Sequence, residues 1–163
     1  MKAIFISMCL TVAVFLCQAQ TGCNVKKAFA FYTVSVPGIQ MVDENGNAIP
    51  PKADIARFIY IESFGKAKPE IKTVLYNNKN LPATVTAVKE KTVIPGGDLG
   101  NNKDFKIIAN KSNSLWKIEL QQEEDNSMPG QDCKNIIIKT KIKGKTCSFK
   151  LLKETELMIL QRY

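Results

Sequence analysis

Short runs of β-branched and aromatic residues recur along the chain, and glycine, proline and asparagine separate them. In the clearest run, residues 115–121, Trp116, Ile118 and Leu120 alternate with polar residues, as in a strand with one buried face. No stretch of any length has the helical period. The runs cover residues 25–36, 55–63, 71–76, 83–88, 105–109, 115–121, 134–142, 146–153 and 156–160, the last fitting a strand or a short helix equally well.

Regular short strands with turn residues between them are typical of an antiparallel sandwich or barrel. We therefore expect an all-β fold, an antiparallel β-sandwich of immunoglobulin-like type. The alternative is an eight-stranded, lipocalin-like barrel. Residues 20–163 have the usual length of a single domain, so one β-domain is expected there.

The first nineteen residues have the pattern of a secretory signal peptide. Lys2 gives a positive start, residues 3–16 form a short apolar core, and Cys17-Gln18-Ala19 offers small residues at the cleavage site. The core is too short and wrongly flanked for a stable membrane span. We expect residues 1–19 to be removed and the protein to be periplasmic, on the cell surface or secreted.

The chain is basic, but almost all of its basic residues are lysines. The formal net charge is +8, and Arg57 and Arg162 are the only arginines. Proteins that recognise nucleic acids rely on the two parallel hydrogen bonds that an arginine guanidinium donates, so no nucleic-acid partner is expected. The chain has no histidine, which removes the usual general base and the commonest metal ligand. No catalytic residue, metal site or cofactor is predicted.

Three cysteines remain after removal of the signal, so one of them has no intramolecular partner. If residues 134–153 form a hairpin, Cys133 lies at its far end and Cys147 beside its turn, too far apart for a disulfide bond. Cys23 then pairs with Cys147 or with Cys133, and we favour Cys147. Lipidation of Cys23, which would tether the protein to a membrane, remains an alternative.

Two acidic stretches have the composition of cation-binding loops. Asp43-x-Asn45-x-Asn47 has the spacing that opens a calcium loop, but Ala48 replaces the required glycine, and a hairpin turn explains the same residues. Residues 123–125 with Asp132 fit a solvated loop better than a cation site.

The glycine-rich stretch 95–104 is predicted to be the longest loop. It lacks the Lys-Ser/Thr of a phosphate-binding loop, but loops carry function on β-scaffolds. Gly96, Gly97, Asp98 and Asn101 are therefore candidates for a binding rim.

A lysine-rich hairpin is predicted over residues 134–153. Lys139, Lys141 and Lys143 fall on one face of the predicted strand, and Lys145 continues the basic character into the next. These four lysines are either a binding patch for an anionic glycan, lipid or protein partner, or lysines that protect a sheet edge from strand addition.

The signal ending in Ala19-Gln20 and the Lys/Asn/Ile-rich strand sequence after it give the chain a resemblance to small exported β-rich proteins of Gram-negative bacteria of the Bacteroidota. The resemblance lies in the composition and strand pattern of the chain, and it includes no sequence motif. It implies an exported setting and assigns no functional residue.

Three functions from different classes follow. The first is an exported, non-catalytic binding or structural module with a protein or glycan partner. The second is a β-barrel carrier of a small hydrophobic ligand. The third is a hydrolase that pairs Glu62 with Asp54 or Glu119, whose carboxyl groups would have to meet within about 10 Å.

Overall fold

The computed structural model of the protein describes residues 24–35, 38, 41–49, 53–98, 103–121 and 135–158. The predicted signal peptide lies outside these residues. Regular structure within them is β-strand throughout, with no helix. The strands are β1 (Val25–Ser35), β2 (Met41–Val42), β3 (Ala48–Ile49), β4 (Asp54–Phe64), β5 (Glu70–Tyr76), β6 (Lys79–Leu81), β7 (Ala83–Val88), β8 (Thr92–Asp98), β9 (Lys103–Ile108), β10 (Asn113–Leu120), β11 (Ile136–Ile142), β12 (Lys145–Leu151) and β13 (Glu154–Met158).

The strands form two packed sheets and one small hairpin. The large sheet has the order β7-β10-β4-β1-β13-β8-β9, the small sheet has the order β12-β11-β5-β6, and β2 pairs with β3. The β-sandwich is thus confirmed, whereas the barrel alternative is wrong because the sheets do not close into one. The large sheet is not purely antiparallel, since β1 and β13 run parallel.

The main core lies between the two sheets. Ile59, Ile61 and Ile118 of the large sheet pack in one cluster with Val74 and Ile138 of the small sheet, and all five side chains are buried. The alternation that the sequence displays in β10 and β11 is the alternation between this core and the opposite face.

The opposite face of the large sheet, which we call the outer face, has a second apolar core. Phe31, Tyr60, Leu115 and Leu157 of this sheet are buried there in one cluster with Ile107 of β9. The cover is supplied by the hairpin of β8 and β9, which continues the sheet beyond β13 and folds over the outer face. We call this hairpin the β8–β9 arm.

Residues 95–98 and 103–104 of the glycine-rich stretch lie in strands and not in the loop that the sequence predicts. Gly96 and Gly97 lie in β8 and pair with Phe105 and Asp104 of β9. A Cβ atom on Gly96 would lie 2.8 Å from the carbonyl oxygen of Met158, so β8 approaches β13 closely because this residue has no side chain. Glycine serves here as a packing residue within a sheet.

Two tight turns have the positive φ angles that such turns require. In the lysine-rich hairpin Ile142 pairs with Lys145, and Lys143 (φ 50°) and Gly144 (φ 80°) form a two-residue turn. Asn77 (φ 46°) and Asn78 (φ 70°) form a similar turn, from which the chain continues directly into β6.

Candidate binding cleft

The β8–β9 arm covers only part of the outer face, and a cleft of about 500 Å³ lies beside it. The floor of the cleft comes from β1, β4 and β10, and its wall comes from β8. The lining residues are Thr33, Ala56, Arg57, Phe58, Tyr60, Ile94, Pro95, Lys117, Glu119 and Leu120.

An irregularity in β8 forms the wall. The pairing of β8 with β9 shifts register between Val93 and Gly96, so Ile94 and Pro95 have no partner in the ladder. Pro95 could not donate a hydrogen bond there in any case. Such a bulge redirects side chains out of the regular alternation, and Ile94 is left 40% exposed at the cleft.

The floor is aromatic and carries one ion pair. Phe58 and Tyr60 meet edge to face with their ring centroids 5.9 Å apart. Lys117 Nζ lies 4.9 Å from the centroid of the Phe58 ring and 2.7 Å from Glu119 Oε1. Burial, with a smaller effect of the Glu119 charge, raises the pKa of the Tyr60 hydroxyl. The cleft therefore combines an apolar floor and wall with two positive groups, on Arg57 and Lys117, and one negative group, on Glu119.

A buried polar cluster lies further along the same face of β4. Glu62 is only 2% exposed, and its Oε1 accepts hydrogen bonds from the backbone N–H of Asn110 (3.0 Å) and the side-chain amide of Asn113 (2.6 Å). Burial raises the pKa of Glu62, but these hydrogen bonds and the charges of Lys26 and Lys27 outweigh it and hold the pKa below its ordinary value. Glu62 therefore fastens the turn between β9 and β10.

The carboxylate pairs suggested for a hydrolase are far apart along the strands. Asp54 and Glu62 are separated by eight residues of β4, or about 26 Å. Glu119 lies opposite Phe58, four residues or about 13 Å along β4 from Glu62. Both separations exceed the about 10 Å within which paired carboxylates of glycosidases work.

A second charged cluster, which the sequence analysis missed, ties β13 to both sheets. Glu154 Oε2 accepts a hydrogen bond from the Tyr76 hydroxyl (2.8 Å) and lies 3.5 Å from Arg57 Nε. The Arg57 guanidinium stacks 4.8 Å from the centroid of the Tyr76 ring. Burial raises the pKa of Glu154, and the Tyr76 hydrogen bond and Arg57 charge offset this only in part.

The neighbouring carboxylate on β13 makes a similar contact. Glu156 Oε2 accepts a hydrogen bond from the Tyr32 hydroxyl of β1 (2.8 Å). Burial and this carboxylate raise the pKa of Tyr32 to about 12. The Tyr32–Glu156 contact joins β13 to β1, and the Tyr76–Glu154 contact joins it to the small sheet, so we assign this cluster a structural role.

The predicted basic residues lie together in the small sheet. Lys139 and Lys141 are exposed on its outer side, opposite to the buried Ile138, Thr140 and Ile142 of the same strand. Lys143 and Lys145 are exposed at the turn that follows. Their strand β11 is paired on both sides, by β12 and β5, so edge protection does not explain Lys139 and Lys141.

The other predicted site residues are dispersed. Gly96 and Gly97 are buried in β8, beside the cleft wall and not in a loop at its rim. Asp98 lies opposite Lys103 in the backbone pairing of β8 with β9, at the end of the β8–β9 arm. Cys147 lies opposite Thr140 in β12. Asn101, Cys23 and Cys133 lie outside the described residues.

The calcium-like stretch is a hydrogen-bonded turn between β2 and β3. Asp43 Oδ1 accepts the backbone N–H groups of Asn45 and Asn47, and Oδ2 accepts the Asn47 amide (3.0 Å). These bonds lower the pKa of Asp43. Among the described residues, no three His, Cys, Asp or Glu side chains gather where they could hold a metal ion.

Comparison of the chain with models of known protein families, with curated proteins and with solved structures gave no match. Within the part of the chain that the structure describes, no helix is long and apolar enough to cross a membrane.

The Glu62 cluster predicts a pH-dependent contribution to stability. Glu62→Ala leaves two buried donors without an acceptor and should lower the free energy of unfolding at pH 7 by about 2–4 kcal/mol. Glu119→Ala, which removes an exposed carboxylate next to Ile118 on the cleft side of β10, should change it by less than about 0.5 kcal/mol. Urea denaturation measures both.

Glu62→Gln isolates the charge, because the glutamine oxygen still accepts hydrogen bonds. The folded-state pKa of Glu62 is below its unfolded value of 4.5, so the charge stabilises the protein above that pH. The stability difference between wild type and Glu62→Gln should therefore shrink as the pH falls through the folded-state pKa. A difference that stays constant on acidification would contradict the assignment.

Proposed function

We propose that the chain is an exported, non-catalytic binding module whose ligand site is the cleft on the outer face. The cleft is the observation that carries this proposal. Its volume of about 500 Å³ lies within the range of about 300–1,000 Å³ that is typical of ligand sites. An apolar lining with a few polar groups is also the usual composition of such sites.

The lining favours a protein partner over a glycan. A sugar ring needs an open aromatic face on which to stack, but Lys117 already lies over the ring of Phe58, and Tyr60 is only 6% exposed. An apolar side chain needs only the space between Ile94 and the floor. We therefore propose that the cleft takes an apolar or aromatic side chain of a protein partner, with Lys117 and Glu119 contacting polar groups beside it.

A carrier of a small hydrophobic ligand is the second candidate, because the same cleft volume would hold one. Its scaffold would be the outer face of an open sandwich, since the space between the sheets is filled by side chains such as Ile59, Ile138 and Phe149. Such a site leaves its ligand partly in water, which suits a carrier less well than an interaction surface.

Export is proposed from the sequence of residues 1–19, and it agrees with a disulfide bond between Cys23 and Cys147. Two observations support this pairing. First, Cys147 lies opposite Thr140, which is about 13 Å along β11 from Ile136. Cys133 precedes Ile136 by three residues, so a Cys133–Cys147 bridge is disfavoured. Second, Cys23 comes two residues before β1, and β1 contacts β12. A bridge there would join the first strand of the large sheet to the small sheet.

The cleft is tested by panning a library of displayed random peptides on the mature protein. The enriched peptides should share an apolar or aromatic anchor residue and should shift the amide NMR signals of Phe58, Ile94 and Lys117. Ile94→Lys should weaken their binding by about tenfold or more, because it puts a charge into the cleft wall.

Ile108→Lys is the matched control, since Ile108 is 57% exposed on β9 and does not line the cleft. It should bind the peptides as the wild type does. Equal loss in both variants would contradict the proposed site. A monosaccharide or oligosaccharide that shifts the same signals, with no enriched peptide, would favour a glycan instead.

Export and cysteine pairing are tested together on protein produced with its own leader in a Gram-negative host. We expect an intact mass that lacks residues 1–19, and proteolytic mapping that links Cys23 to Cys147 while Cys133 reacts with an alkylating reagent. A lipid adduct on Cys23 would contradict the pairing and would mean a tethered protein. Alkylation of Cys147 before reduction would exclude the bridge.

A further inference from the structure

The outer side of the small sheet concentrates positive charge. Six exposed lysines lie on this side of the sheet or at its adjoining turn, and we call them the lysine face. On the outer side they are Lys72 of β5, Lys139 and Lys141 of β11, and Lys150 of β12, and at the turn they are Lys143 and Lys145, the latter opposite the core-facing Ile142. Glu70 is the only acidic residue in these three strands and the turn, and it pairs with Lys72.

Strand pairing brings these lysines together. Lys139 and Lys141 are two residues apart, so they share a side of β11 at a spacing of about 7 Å. Lys150 lies opposite Ile137, one step further along the same side. The pairing of β5 with β11 shifts register at Lys72, which lies between Ile71, opposite Thr140, and Thr73, opposite Lys139. Lysines that are far apart in sequence thus form one surface.

Neither packing nor edge protection accounts for the two lysines of β11, whereas Lys145 and Lys150 belong to β12, an edge strand of the small sheet. β11 is paired on both sides, so its lysines do not block strand addition. Lys143 lies against another turn, since a Cβ atom on Gly65 would be 3.3 Å from its Nζ, but the other lysines extend into solvent. Six lysines against one glutamate produce a positive potential that attracts a partner of opposite charge.

The remaining residues of the face narrow the chemistry of the partner. Among the described residues, β5, β11 and β12 contain no exposed large apolar side chain, and Leu152, directly after β12, is a single exposed one at their end. A surface that binds membranes normally adds apolar insertion to its positive charge. Lysine also offers single point charges and not the bidentate fork that suits phosphate and base recognition. The partner that fits the lysine face best is a hydrated polymer that carries single negative charges at regular intervals.

We propose that the lysine face binds an acidic polysaccharide, with carboxylate or sulfate groups along the glycan contacting lysines of adjacent strands. The face lies on the small sheet and the cleft on the large sheet, so this proposal does not depend on the function proposed for the cleft. Binding of this kind is electrostatic and weakens as the salt concentration rises.

The test measures binding of the mature protein to polygalacturonate and to heparin by calorimetry over a series of NaCl concentrations. The wild type should bind at least one of them at low salt and not bind uncharged dextran. The double variant Lys139→Gln/Lys141→Gln should bind about tenfold more weakly at low salt and show a flatter salt dependence. Thermal unfolding checks that the variant remains folded.

The matched control is Lys103→Gln/Lys106→Gln, which removes the same charge from exposed positions of β9. It should weaken binding by about twofold or less, because only the overall charge of the protein changes. Equal loss in the two variants, or no binding to either polysaccharide, would overturn the proposal. So would binding to phosphatidylglycerol vesicles or duplex DNA that exceeds binding to both polysaccharides.

Discussion

The long strand β4 buries side chains on both of its faces, and this requirement shapes the whole molecule. Ile59 and Ile61 point to one side of the large sheet and Tyr60 to the other, and all three are buried. A sheet with two apolar faces needs a cover on each side. The small sheet covers the first face, and the β8–β9 arm covers the second. Because the arm is only two strands wide, it leaves part of the outer face open as the cleft.

The two proposed surfaces follow from this arrangement. The cleft lies on the outer face of the large sheet, whereas the lysine face lies on the outer side of the small sheet, so the sandwich separates them. They also differ in chemistry, since one is an apolar groove with an ion pair and the other is a flat, basic and hydrophilic surface. A protein partner and an acidic glycan could therefore be bound at the same time, as suits a module that links a protein to a charged matrix.

Much of the fold could be predicted from the sequence, because the apolar alternation of strands such as β10 and β11 directly reflects their burial. The arm could not, since Gly96 and Gly97 have the composition of a loop and enter a sheet only because β13 approaches them closely. The Arg57–Glu154 contact joins residues 97 positions apart, which no local pattern encodes. A signal was nevertheless present, because a charged residue at a core-facing position of a strand requires a buried partner. Glu62 carries the same signal on the outer face.

The most direct test of this account is a double-mutant cycle between Phe31 and Phe105, whose rings meet edge to face with centroids 4.8 Å apart where the arm covers the outer face. The variants Phe31→Leu and Phe105→Leu, singly and together, should show a coupling of about 0.5–1.5 kcal/mol in urea denaturation. Phe31→Leu with Phe149→Leu is the control, because Phe149 belongs to the core between the sheets and the two effects should add. Additivity of Phe31 and Phe105 within about 0.3 kcal/mol would mean that the arm does not cover the sheet, and the cleft would lose its wall.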